Sequence, residues 1–387
     1  MKRGERRSPN KMTHTAKLLA DLIALPSVNP AFLPPRHPHV GEGRVAEFIA
    51  AVTARVGLEV EIQKVLPQRV NVIARLQPTG KIRQTVLLAP HLDTVNVAEE
   101  KQFKPTLRNG RLYGRGACDT KGSVASFVSA LRELAQAKDR PRATEIVFVG
   151  LVDEEHGQAG SRALAKSGIM ADLAIVGEPT RCQLVTAHKG SVFVEIETHG
   201  KAAHGATPQF GRNAVVEMAR IVEFLETEYA AQLRKRKHPL LGHGTISVGT
   251  IRGGSQPNIV PDRCVVGADR RTLPGETDRR VCREIDLALR ARGLKAKFSG
   301  GRLAPCLPLE TSVKLPLVRQ FFRSAGQSRP LGVNYFCDAS VLSAGGIPSV
   351  VFGPGDIAQA HTADEWISLA QLERATAMLL KFLKSLP

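Results

Sequence analysis

An α/β protein carrying an inserted α+β segment is what this chain predicts, on three observations. Apolar β-rich runs alternate with helical stretches towards both ends, the middle of the chain switches to half-apolar alternation, and 387 residues exceed the usual reach of one hydrophobic core. From Thr15 to Leu25 apolar residues recur at helical spacing, and Ala46 to Val56 repeats the pattern after a Pro-rich loop. Val70 to Leu76, Thr85 to Ala89, Ile146 to Leu151, Leu173 to Val176 and Ser349 to Phe352 read as buried strands, with helical stretches such as Ser123 to Ala137 separating several of them. Between about Cys182 and Gly300 the segments Val192 to Thr198, Gly244 to Gly249 and Arg263 to Asp269 alternate as half-exposed strands do, and Asn213 to Glu226 and Asp278 to Arg292 read as helices. The α/β pattern resumes near Leu309, so the outer domain is discontinuous, 1–181 with 301–387, around an insertion at 182–300.

Composition narrows the function classes. The longest apolar stretches, such as Ile146 to Val152, are too short to cross a bilayer, and the N-terminus lacks the apolar run of a secretory signal; a cytoplasmic protein without membrane contact is expected. Cys118, Cys182, Cys264, Cys282, Cys306 and Cys337 are scattered with no Cys-x-x-Cys pair, against both a disulfide framework and a thiolate metal site. The formal charge of +18 suits a nucleic-acid binder, but also an enzyme that attracts anionic substrates. Its basic residues are dispersed. Lys2, Arg3, Arg6, Arg7 and Lys11 read as part of a solvated tail over 1–14, with Met12 as an alternative start, and Arg234 to Lys237 as an exposed loop without interleaved aromatics. Nucleic acid is therefore not the expected partner, and a basic nucleic-acid-binding protein stands as the competing reading from another class.

The chemistry-bearing residues follow the β-rich runs. His91-Leu92-Asp93 comes directly after Thr85 to Ala89, and residues two apart in an extended segment point to one side, so His91 can ligate a metal while Asp93 orients its ring. Asp119 lies in Gly114-Arg115-Gly116-Ala117-Cys118-Asp119-Thr120-Lys121-Gly122, Glu154-Glu155 and Glu178 each follow a strand, and His361 follows a fifth. Strand ends are where α/β sheets place their ligands. Carboxylates sharing a small volume need strong cationic compensation, and two histidines with three or more carboxylates are too many for one ion. A pair of divalent cations sharing an Asp fits, and oxygen and nitrogen donors suit zinc, cobalt or manganese. No G-x-x-x-x-G-K-[ST], G-x-S-x-G or H-E-x-x-H motif competes.

From about Thr15 onwards the chain resembles the M20 metallopeptidase family, whose members include acetylornithine deacetylase, succinyl-diaminopimelate desuccinylase, aminoacylase and glutamate carboxypeptidase. The likeness is carried by Pro90-His91-Leu92-Asp93-Thr94-Val95, the Gly114 to Gly122 stretch, Asp153-Glu154-Glu155, Val176-Gly177-Glu178-Pro179-Thr180 and Ala360-His361-Thr362. It implies a zinc-peptidase-like α/β/α catalytic domain with a central mixed sheet and, in the insertion, a ferredoxin-like dimerisation or lid domain. It also implies His91 and Glu178 on one ion, Glu155 and His361 on the other, Asp119 between them, Glu154 as general base, and a cis peptide after Asp119. In Lys201-Ala202-Ala203-His204-Gly205, His204 resembles a residue that reaches the neighbouring subunit's site to hold an oxyanion. Asn258 and Arg271 match lid residues that bind a substrate carboxylate, a task suited to a forked guanidinium. The implied function is hydrolysis of an N-acyl amino acid by a homodimer associated through 182–300, with a metal-held water as nucleophile. A dipeptidase or carboxypeptidase acting on a short peptide is the alternative within the family, and Tyr335 to Ser340 fits neither subtype.

Overall fold

The computed structural model describes residues 12–300 and 304–387. The basic residues Lys2, Arg3, Arg6, Arg7 and Lys11 lie outside that range. Among the described residues no helix is long and apolar enough to cross a membrane.

Two compact units divide the chain: 1–186 with 311–331 and 337–387, and 187–310 with 332–336. The first opens with α1 (His14–Ile23), whose Thr13 side chain caps the helix by accepting from Ala16 N, and α2 (Gly43–Arg55). Strands β1 (Glu59–Leu66), β2 (Arg69–Leu76) and β3 (Gln84–Pro90) follow, then a small hairpin of β4 (Thr106–Arg108) and β5 (Arg111–Tyr113). The series continues with α3 (Lys121–Gln136), β6 (Thr144–Gly150), α4 (Ala159–Lys166), β7 (Leu173–Gly177) and β8 (Val185–His188), along which the chain leaves this unit.

The second unit contains β9 (Gly190–His199), β10 (Ala203–His204), α5 (Ala214–Phe224), α6 (Ala230–Lys235), β11 (Thr245–Gly253), β12 (Ile259–Val260), β13 (Arg263–Thr272), α7 (Asp278–Arg290), β14 (Lys297–Gly300) and β15 (Leu309–Glu310). Its four-stranded sheet runs β11-β13-β9-β14 with every pairing antiparallel. Written as β-α-β-β-α-β, that order is ferredoxin-like. Met218, Ile221 and Phe224 of α5 and Val281, Ile285 and Leu289 of α7 pack with Val194, Ile196, Val266 and Ala268 of the sheet. The helical pattern from Asn213 does not stop at α5: a π turn at Leu225–Tyr229 joins it to α6, so Arg234 and Lys235 end a helix where the sequence suggests a loop. The amphipathic pattern explains the extension, because buried Leu225, Tyr229 and Leu233 continue the apolar face.

The remaining elements are α8 (Pro316–Ala325), β16 (Leu331–Val333), α9 (Ala339–Ala344), β17 (Ser349–Val351), β18 (Trp366–Ser368) and α10 (Leu369–Lys384). The central sheet of the first unit has the path β1-β2-β6-β3-β7-β17-β8. β6, β3, β7 and β17 are mutually parallel, whereas β2 at one side pairs antiparallel with both β6 and β1. Alternation across those strands makes two apolar faces. Val86, Leu88, Ile146, Phe148, Leu173, Ile175 and Val350 pack under α1, α2, α3, α8 and α10, while α4 and α9 pack on the opposite face, α9 against β7 and β17. Because β3 lies between two strands that come later in sequence, its C-terminal end and those of its neighbours are the place where α/β sheets hold their ligands.

Candidate metal centre

Three parallel neighbours deliver the first residues. β3 ends at Pro90, and His91 extends its pairing by a bridge to Leu151. β6 ends at Gly150 and leads into Asp153-Glu154-Glu155, and β7 ends at Gly177, next to Glu178. Gly177 is needed there, since a Cβ would come within 2.7 Å of Ser123 Cβ and 2.8 Å of Pro90 Cβ. The other two residues arrive differently from the sequence pattern. Asp119 ends a loop leaving the β4–β5 hairpin and precedes α3, with a cis peptide to Thr120. His361 does not directly follow β17; it stands ten residues beyond, after a short 3-10 turn at Ile357–Gln359, with φ +62°.

These side chains share one small volume. Asp119 is central: His91 Nε2 lies 3.2 Å from its Oδ1, and His361 Nε2 3.3 Å from its Oδ2. His361 Nε2 is also 3.1 Å from Glu155 Oε2, and His91 Nε2 3.9 Å from Glu178 Oε1. Potential ligand atoms of His91, Glu154 and Glu178 lie within 4.8 Å of one another, as do those of His91, Asp119 and Glu155. Asp93 differs in detail from the expected ring-orienting role. Its carboxylate is 3.4 Å from His91 Nδ1, and its main-chain carbonyl is nearer, at 3.0 Å. The carboxylate mainly accepts from the backbone of the glutamate pair, Glu154 N at 3.1 Å and Glu155 N at 3.0 Å.

Crowding sets the proton affinities of these groups. Burial pushes Glu154 well above the usual carboxyl range, and Glu178 nearby adds to the shift. Burial and the charge of Asp119 push Glu155 up to about 7; burial raises Glu178 well above normal, with Asp119 adding to it. Bonds to Asp119 and Glu155 hold His361 up at about 10. Burial opposes charge on His91, but the carboxylates of Asp119 and Asp93 prevail and keep it well above the ordinary imidazole range. Glu155 Oε1 and Glu178 Oε1 are buried without a hydrogen-bond partner. Orphaned buried acceptors of this kind are costly, and cations are the partners that would satisfy them. A set of imidazole and carboxylate donors suits a borderline divalent ion such as zinc.

The sequence profile of Peptidase family M20/M25/M40 matches residues 87–385. The chain belongs to this family. It is 31% identical over 358 residues to acetylornithine deacetylase of Myxococcus xanthus, covering 87% of this chain and 90% of that protein. Among solved structures it is similar to aminopeptidase PepT of Bacillus cereus, with a TM-score of 0.77, 21% identity and 96% and 97% of the two chains covered. It also resembles YXEP of Bacillus subtilis, described as a dinuclear metal-binding peptidase, with a TM-score of 0.68, 14% identity and 96% and 97% covered. This M20 protein is accordingly a metal-dependent hydrolase of amide or peptide bonds, a deacylase or peptidase.

The remaining sequence-predicted residues of this M20 chain lie in the second unit. His204 is exposed on β10, which pairs with β12 through His204 and Ile259; its Nδ1 accepts from Ala206 N at 3.1 Å. Asn258 is exposed just before β12, and its carbonyl accepts from Gly205 N at 2.7 Å, so these two residues share one ribbon. Arg271 stands on β13 and donates from Nε to Asp269 Oδ2 at 2.9 Å.

Two acids at the centre escape sequence reading. Asp338 is buried, with one oxygen 2.6 Å from Ser161 Oγ and the other unpartnered, and burial lifts it to about 7. It falls in the segment Tyr335 to Ser340. Glu365 organises the loop that carries Asp119. Its carboxylate accepts from Gly116 N, Cys118 N and Asp119 N at 2.9, 2.8 and 3.0 Å and from Arg115 Nη1 at 2.8 Å. Nothing in Ala363-Asp364-Glu365 separates it from a surface acid by spacing. Glu365→Gln turns an amide donor towards backbone N–H groups and leaves Arg115 without its counter-charge. The expected cost is about 3 kcal/mol of unfolding free energy in urea denaturation, and a loss below about 0.5 kcal/mol would show that the cradle holds no load.

Proposed function

We propose that the protein is a two-metal deacylase of N-acyl amino acids. The observation supporting this reading is that two histidines from distant parts of the chain face the two oxygens of a single carboxylate, Asp119, at 3.2 and 3.3 Å. In this reading His91 and Glu178 hold one ion, Glu155 and His361 the other, and Asp119 both, with zinc as the metal. When bound, such a pair supplies Lewis acidity, lowering the pKa of water from 15.7 to about 7 and offsetting charge on the scissile carbonyl. Glu154 takes the proton of the attacking water and returns it to the departing amine. His204, reaching the site of a second copy of the chain, would donate to the developing oxyanion, and Asn258 and Arg271 would hold the substrate carboxylate. A relative named acetylornithine deacetylase, matched along 90% of its length, favours deacylation over dipeptidase or carboxypeptidase activity.

The test combines calorimetric zinc titration of the metal-free protein with N-acetylornithine, N-succinyl-diaminopimelate and simple dipeptides as substrates. Two zinc ions per chain are expected. At pH 7 their binding releases protons, because His361 is held protonated up to about 10 and Glu155 titrates near 7, yet both must ligate unprotonated. Zinc affinity accordingly rises from pH 6 to pH 8. One ion per chain, or binding without proton release, would remove the pair; cleavage of dipeptides alone would replace deacylase by peptidase. Association of two chains through the second unit belongs to the same reading, and a monomeric mass in solution would dismiss it.

A further inference from the structure

Behind the metal centre lies a buried polar array that the chemistry above leaves unused. The loop from Ser27 to Glu42 runs beside the Asp93 strand end: Asn29 N donates to Thr94 O at 2.9 Å and Thr94 N to Ser27 O at 3.0 Å. That alignment carries the fully buried Asn29 side chain to a point between two carboxylates. Its Nδ2 donates to Asp93 Oδ2 at 2.7 Å and to Asp153 Oδ1 at 3.0 Å, while its Oδ1 accepts from Ala31 N at 3.0 Å, which fixes which way the amide faces. Asp153 is anchored from the far side. Arg69 Nη1 donates to Asp153 Oδ1 at 2.7 Å, and the same guanidinium forks onto Glu42 through Nε at 2.9 Å and through Nη2. Glu42 also accepts from Asp153 N at 3.2 Å. All five side chains are buried.

We infer that Asn29, backed by Arg69 and Glu42, is a positioning residue that sets the spacing between His91 and the Glu154-Glu155 pair. Asp93 stands two residues after His91 and holds both glutamate N–H groups; Asp153 directly precedes Glu154 and holds a left-handed backbone, φ +71°. One amide therefore ties both flanks of the centre together. A neutral side chain that serves two carboxylates at once needs two N–H donors, and asparagine supplies both hydrogens from one nitrogen. Partners behind a metal's ligands hold those ligands in geometry, and their loss typically weakens metal binding 10- to 100-fold.

The inference rests on the two-metal reading and is tested with zinc alone. Asn29→Asp keeps the size and the oxygen that caps Ala31 but replaces the donor by a third carboxylate; Asn29→Ala removes the donor without adding charge and serves if the first variant does not fold. Zinc affinity of metal-free protein is measured by competition with a chromophoric chelator, alongside the urea midpoint. Both folded variants are expected to bind zinc about 10- to 100-fold more weakly than the parent, Asn29→Asp the more affected. A folded variant with a lowered urea midpoint and zinc affinity within twofold of the parent would reduce Asn29 to a structural residue and overturn the inference alone. A parent chain that binds no zinc would overturn the inference together with the two-metal reading.

Discussion

Glu154→Gln is expected to cut kcat by about 10²- to 10⁴-fold while leaving two zinc ions bound and KM within a few-fold. The reasoning begins with two adjacent glutamates that the backbone treats alike, since Asp93 accepts from both their N–H groups. Their side chains diverge. Glu155 reaches His361 at 3.1 Å and shares a ligand-sized volume with His91 and Asp119, whereas Glu154 lies with His91 and Glu178. Burial first and Glu178 second raise the proton affinity of Glu154 well above normal, so it can take a proton and hold it until the amine leaves. Glutamine fills the same space but cannot accept that proton. Its effect separates two roles: a third ligand of the first ion would, when replaced, lower zinc content towards one per chain, and a base would not. Near-normal kcat, or a zinc content of one, would remove Glu154 as the base.

What the sequence made legible, and what it hid, follows from which forces act locally. The buried strands were readable because Ile146 to Leu151 is apolar on both faces and Val70 to Leu76 is broken only by Asn71 and Arg75, and the structure places β2 and β6 there. β1 was not. Five of its eight residues, Glu59 to Leu66, are exposed, three of those five charged, and they form a strand because β2 offers an edge to pair with, which is a tertiary cause. At the centre, metal-ligating types stand out because His, Asp and Glu directly beyond an apolar run have little structural reason to be there. Asn29, Glu42, Arg69 and Glu365 carry no such mark: an Asn before a Pro reads as a turn former, and the others as surface charges. Their roles come from partners 27 to 250 residues away in sequence, distances that no local spacing encodes. Even the His91-Asp93 spacing, read correctly as two side chains on one side, did not reveal that Asp93 spends most of its hydrogen-bonding capacity on the backbone of Glu154 and Glu155.

Asp119→Asn is expected to have the largest effect, lowering zinc content well below one per chain and turnover by about 10³-fold or more. An amide offers one weakly basic oxygen where a carboxylate offers two, so neither His91 nor His361 keeps a partner able to share an ion. The metal-free protein gives an independent reading of the same residue. Burial works against charge on Asp119, yet His361 and His91 hold its carboxyl below the usual carboxylate range, while Asp119 and Glu155 raise His361 to about 10. A depressed carboxyl contributes stability above its unfolded pKa near 3.8 that is lost as pH falls through the folded value. A raised imidazole contributes stability below its unfolded pKa of 6.5 that is lost as pH rises through about 10. Asp119 and His361 therefore support the metal-free fold together across neutral pH. Urea midpoints of metal-free parent and Asp119→Asn should differ most between about pH 4 and 6.5 and draw together as pH rises from there through 10. Midpoints that coincide at pH 7 would mean that the carboxylate between the histidines does nothing until metal arrives. Full zinc content in the variant would mean that it does not join two ions at all.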